Sequence, residues 1–100
     1  MPTRFQSDLE EQFRHPDPQT RSVAAAFLGA MPDAGITHKL GEALMIESDR
    51  GVQGVLVGSL ADRRDAVAEE WLRRLALTHP DAAVRSLALR ALARRRVRKG

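Results

Sequence analysis

His79-Pro80-Asp81-Ala82-Ala83-Val84-Arg85, running into the Leu/Ala-rich segment Ser86-Leu87-Ala88-Leu89, decides the fold. Pro80 ends one helix, because it lacks an N–H and its ring clashes with the preceding turn. Asp81 then stands where the next helix needs an acceptor for its first free N–H groups, and its charge suits the positive end of that helix. The same stretch occurs 64 residues upstream as His15-Pro16-Asp17-Pro18-Gln19-Thr20-Arg21, and a degenerate copy, Glu47-Ser48-Asp49-Arg50-Gly51-Val52-Gln53, lies midway at a spacing of 32. Aligning His15–Leu28 with His79–Leu92 gives seven identities in fourteen positions. Chance pairing would give about one, so the period is a property of the fold. In this register Asp17, Asp49 and Asp81 are three helix caps, and Pro18 sits at a first helical position, where its fixed φ suits a helix.

Working outward, the chain divides into six helical segments. Thr3 to Arg14 carries Phe5, Leu9 and Phe13 on one narrow face, with Thr3 and Gln6 as a possible capping box. That one-sidedness is what a solvent-facing terminal unit needs. Pro18 to Met31 places Val23, Ala24, Phe27 and Leu28 inward, with Ala24-Ala25-Ala26 admitting a close neighbour. Asp33 to Glu47 has the stripe Ile36, Leu40, Ala43 and Leu44, interrupted by Gly35 and Gly41. Arg50 to Ala61 interleaves Gly51, Gly54 and Gly58 with Val52, Val55, Leu56, Val57 and Leu60. Local rules alone allow a strand there; the repeat register makes it a central helix whose glycines permit close contact. Asp62 to Thr78 presents Val67, Ala68, Trp71, Leu72, Leu75 and Ala76, with Glu69–Arg73 and Glu70–Arg74 as i,i+4 pairs on the wet side. Trp71 is expected to pack at an edge. Asp81 to Val97 turns Val84, Leu87, Ala88, Ala91 and Leu92 toward the preceding unit and leaves Leu89 outside that stripe.

The pattern of Asp, two or three residues, Val-Arg, then Ala and Leu at helical spacing resembles the HEAT repeat, including its short bacterial HEAT-like form, with Trp71–Arg95 the nearest match. The resemblance implies an all-α fold: a right-handed α-α superhelix, or α-solenoid, of three helical hairpins and about six helices. It implies one domain over residues 1–100, with repeats at about 3–31, 33–61 and 62–97 and a basic tail at 94–100. It also implies a ladder in which Asp17, Asp49 and Asp81 meet Arg21 and Arg85 of neighbouring repeats. Gln53 stands where the pattern has arginine.

Composition narrows the function. The 100-residue chain is 43% hydrophobic, 29% charged and 4% aromatic, so it suits one folded domain with an aliphatic core. It has no cysteine, hence no disulfide or thiolate chemistry, which fits a reducing compartment. No apolar run reaches membrane-spanning length and no signal-peptide pattern opens the chain, so the expected location is cytoplasmic. No phosphate loop, zinc spacing or nucleophile-base pair occurs. His15 and His79 occupy equivalent turn positions, which argues for a structural role. No cofactor and no catalytic residue are expected.

Charge and the open end supply the functional expectation. Residues 1–64 hold seven basic and nine acidic residues, net −2, and residues 65–100 hold nine basic and four acidic, net +5. The sequence points to a non-catalytic repeat protein acting as a scaffold or adaptor. Its C-terminal end would take a protein partner or a second copy through Leu89, Arg90, Arg94, Arg95, Arg96, Arg98 and Lys99. The alternative is a nucleic-acid-binding module that uses the same basic helix and tail.

Overall fold

An aspartate stands at the start of every helix but the first, at residues 17, 33, 49, 65 and 81, one every sixteen residues. The computed structural model describes the backbone of residues 3–99 and the side chains of residues 3–96. These residues form six helices and no strand: α1 Arg4–Gln12, α2 Pro18–Gly29, α3 Ala34–Ile46, α4 Arg50–Asp62, α5 Ala66–Thr78 and α6 Ala82–Lys99. Each aspartate carboxylate accepts from an N–H in the first turn it precedes. The donors are Thr20 at 3.3 Å, Gly35 at 2.8 Å, Val52 at 3.0 Å, Ala68 at 2.8 Å and Ala83 at 2.9 Å. Thr3 does the same for α1 with the N–H of Gln6, at 3.1 Å. Orphan donors are thereby satisfied at every N-terminus.

The residues between the caps set the packing. α2 lies against α4 and α4 against α6, while α3 lies against α5; α1 joins α2, α3 joins α4, and α5 joins α6 as successive hairpins. Two layers result, α2–α4–α6 and α3–α5, with α1 reaching only α2 by backbone approach and tied to α3 by a Lys39–Glu10 ion pair. The molecule measures 38 × 26 × 17 Å. Its core is aliphatic: Leu28, Ile36, Leu40, Leu44, Leu56, Leu60, Leu72 and Leu75 are all fully buried. Each contributes about 1.5–3 kcal/mol by leaving water.

Glycine works at the seams between layers. A Cβ on Gly41 would overlap the Trp71 ring, so α3 and α5 approach this closely only because residue 41 has no side chain. A Cβ on Gly29 would fall 2.6 Å from Ser59 Oγ across the α2–α4 seam. By contrast, a Cβ on Gly54 or Gly58 meets nothing within 4 Å, so the α4 glycines do not mediate the close contact expected of them.

Three further expectations change. Residues 63–65 are a turn and α5 begins at Ala66, because Asp65 rather than Asp62 is its cap. The Asp65 carboxylate also accepts from the Thr37 hydroxyl at 2.8 Å, an anchor that Asp62 lacks. Val23 and Phe27 do not face inward. Ala24, Ala25 and Leu28 fill the inner side of α2, and Val23 and Phe27 stay more than half exposed. Finally, of the narrow α1 face only Leu9 and Phe13 pack against the core, both partly buried, while Phe5 is exposed.

Candidate interaction surface

The three hairpin turns line up along one edge, and each is held by the same pair of bonds. The N–H of Asp17 donates to His15 Nδ1 and that of Asp81 to His79 Nδ1, both at 3.0 Å. In the middle hairpin the N–H of Asp49 donates to Glu47 Oε2 at 3.0 Å, so a carboxylate takes the imidazole's place. The second bond closes the turn from the helix. Arg21 Nη1 donates to the carbonyls of His15 and Pro16, and Arg85 Nη1 donates to those of His79 and Pro80. Gln53, which replaces arginine, still reaches the equivalent carbonyl of Glu47 at 2.8 Å. With Nδ1 accepting, the His79 proton sits on Nε2, which donates to the Leu44 carbonyl at 2.8 Å and ties α6's turn to α3.

Rungs join neighbouring turns. Arg21 donates through Nε and Nη2 to both Glu47 oxygens, at 2.9 and 3.0 Å. Arg50 and Gln53 both donate to Asp81 Oδ2, Gln53 at 3.4 Å. Burial pushes the Glu47 carboxyl up, but the Arg21 bond and the Asp49 and Ser48 N–H groups outweigh it and hold it below the usual range. The Arg50 bond, helped by the Ala83 N–H, lowers Asp81. The Thr20 hydroxyl, followed by backbone N–H groups, lowers Asp17. Asp49 caps α4 and makes no ion pair among the described residues. The rungs thus run Arg21–Glu47 and Arg50/Gln53–Asp81, not from Arg21 to Asp49.

The opposite edge carries a second ladder. Arg63 Nη1 donates to the carbonyls of Gly29 and Met31, at 2.8 and 2.7 Å. Arg95 Nη1 donates to those of Ala61, at 2.9 Å, and Arg63. Every member is displaced by 32 residues. Each arginine satisfies the orphan carbonyls at the C-terminus of the helix one hairpin back, where a cation also suits the dipole. Arg63 goes further, donating to the Asp33 carbonyl at 2.7 Å and to the Thr37 hydroxyl, and it is buried. Arg63, Glu47 and Arg50 were not singled out by sequence reasoning, although the 32-residue spacing of Arg63 and Arg95 was there to find.

The basic residues of α6 therefore divide. Arg95 is clamped to carbonyls. Arg90, Arg94 and Arg96 are exposed. The side chains of Arg98 and Lys99 lie outside the described residues. Leu89 projects from the same helix, 56% exposed, whereas the residues 32 and 64 positions earlier, Val57 and Ala25, are 2% and 0% exposed. Ala25 lies in the helix covered by α4, and Val57 in the helix covered by α6. No described helix covers Leu89. It is joined on this face by the exposed Ala93, whose counterpart Ala61 is buried.

A cleft of about 540 Å³ opens beside the first turn among Phe13, His15, Arg21, Lys39, Ile46 and Glu47. Four of its charged side chains pair with one another, Arg21 with Glu47 and Lys39 with Glu10. Among the described residues no three His, Asp or Glu side chains converge as metal ligands would. No described helix is long and apolar enough to cross a membrane. No protein-family model, curated protein or solved structure matches the chain.

Proposed function

We propose that the chain is a non-catalytic, HEAT-like repeat module, a short right-handed α-α superhelix whose α6 end docks a protein. One observation carries this reading: Leu89 is open at a position that is buried in both earlier hairpins. A surface built to be covered and left uncovered is a docking surface. The lack of cysteine suits a reducing, cytoplasmic setting for such an adaptor. A photoreactive residue in place of Leu89 is expected to cross-link to protein in cells, while one in place of exposed Gln12 gives none. Absence of any adduct at position 89 would overturn the reading.

A second reading rests on Arg90, Arg94 and Arg96, exposed together on α6. They would contact nucleic-acid phosphates. Binding to a labelled duplex would then fall by about fortyfold between about 50 and 200 mM salt, as the release of counterions from three phosphates requires. An apolar contact through Leu89 would change little over that range.

A further inference from the structure

We propose that the α6 end of one chain receives the α1–α2 end of a second copy, head to tail, with Arg85 pairing with Asp17 of that copy. This rests on the reading of the α6 end as a docking surface and names its occupant.

The polar argument comes first. Arg21 and Arg85 hold their own turns identically, through Nη1 to two carbonyls. Arg21 gives its remaining donors, Nε and Nη2, to a carboxylate of the next turn. On Arg85 those donors meet no carboxylate among the described residues. At the other end of the molecule, Asp17 makes no ion pair among the described residues, whereas its counterpart Asp81 takes Arg50 and Gln53 from the hairpin before it. A second copy stacked in the same register sets Asp17 where Gln53 finds Asp81, 28 residues on. Each end holds the half-rung that the other lacks.

The apolar argument has the same form. Phe27 is 55% exposed, while Ala91, 64 positions later, is buried against α4's side of the seam. Ser59, between them in register, sits against Gly29. Continuing the register places Phe27 of the second copy opposite Ala93 and beside Leu89. Both sides are bulkier than at the internal seams, so this junction is wider and more apolar. The charge division, net −2 in residues 1–64 and +5 in residues 65–100, attracts head to tail and repels tail to tail.

Such a contact is heterologous and does not close on itself, so mass should rise with concentration beyond a dimer. Sedimentation velocity on the wild-type chain tests this. Leu89→Glu and Phe27→Glu each destroy one end and leave the other intact. Each alone is expected to stay monomeric, with association weakened about a hundredfold or more because a carboxylate would be buried unpaired. An equimolar mixture of the two should form a dimer that grows no further. Asp17→Asn keeps the cap of α2 but removes the charge, and should weaken association about five- to tenfold with an unchanged circular dichroism spectrum. A wild-type chain that stays monomeric throughout, or a mixture that does not dimerise while the wild type associates, overturns the proposal. If position 89 cross-links only to a different polypeptide, self-stacking fails while docking at the α6 end stands. If it cross-links to nothing, both fail.

Discussion

α4 and α6 occupy the same place in successive hairpins, yet they are not buried alike. α4 buries Val52, Gln53, Leu56, Val57, Leu60 and Ala61. In α6 the residues in the same register divide: Val84 and Ala88 are buried, whereas Arg85, Leu89, Leu92 and Ala93 are partly or fully open. The second group lies on one face. α4 has α2 on one side and α6 on the other; α6 has α4 alone in that layer. Burial here follows from neighbours rather than from the helix's own sequence, and leucine at positions 89 and 92 leaves the open face apolar.

The two arginine clamps give the largest test of that difference. Arg63 serves three carbonyls and a hydroxyl from a buried position, while Arg95 serves two carbonyls nearer the surface. Arg63→Leu should lower the unfolding free energy by about 3 kcal/mol, because buried acceptors are left without donors. Arg95→Leu should cost about 1 kcal/mol. Equal losses in urea titrations would mean that the clamps do not differ in burial.

Two glycines separate a packed seam from an open face. Gly41→Ala drives a methyl into the Trp71 ring and should destabilise by about 2 kcal/mol. Gly54→Ala adds a methyl in open space on a helix and should stabilise by about 0.5–1 kcal/mol. Thermal melts of both variants would show opposite signs.

One rung and one cap respond to acid. Glu47 and Asp65 are held below their ordinary values of 4.5 and 3.8 in the folded chain. In both, burial alone would raise the carboxyl, and hydrogen bonds, from Arg21 and from Thr37 respectively, overcome it. A depressed folded value stabilises the fold above the unfolded value and is lost as pH falls through the folded one. Urea midpoints should therefore drop from about pH 5 downward, and Glu47→Gln should flatten that slope. An unchanged slope would remove Glu47 from the rung.

Much of this architecture was legible in the residues. The aspartates, prolines and the 32-residue period place six helices and mark α4 as helical despite Gly51, Gly54 and Gly58. The start of α5 was misplaced because Asp62 and Asp65 are both plausible caps locally. The sixteen-residue interval of aspartates, a signal present in the chain, selects Asp65. The orientation of Val23 and Phe27 was not legible, since a wide apolar stripe does not say which side its neighbours occupy. Arg95 reads as a member of the basic tail and Arg63 as an ordinary turn residue, because a bond to a carbonyl of another hairpin leaves no local pattern. Gln53 looked like a broken position, yet its amide reaches the same carbonyl as the arginines through a shorter side chain.

The central claim, that α4 is sealed by a neighbour on both sides of its layer and α6 on one, is tested most directly by truncating one leucine in each. Leu60 and Leu92 are equivalent in register; Leu60 is fully buried and Leu92 partly so. At a concentration where the chain is monomeric, Leu60→Ala should cost about 3 kcal/mol in urea unfolding and Leu92→Ala about 1 kcal/mol. Equal losses at the two positions would contradict the account.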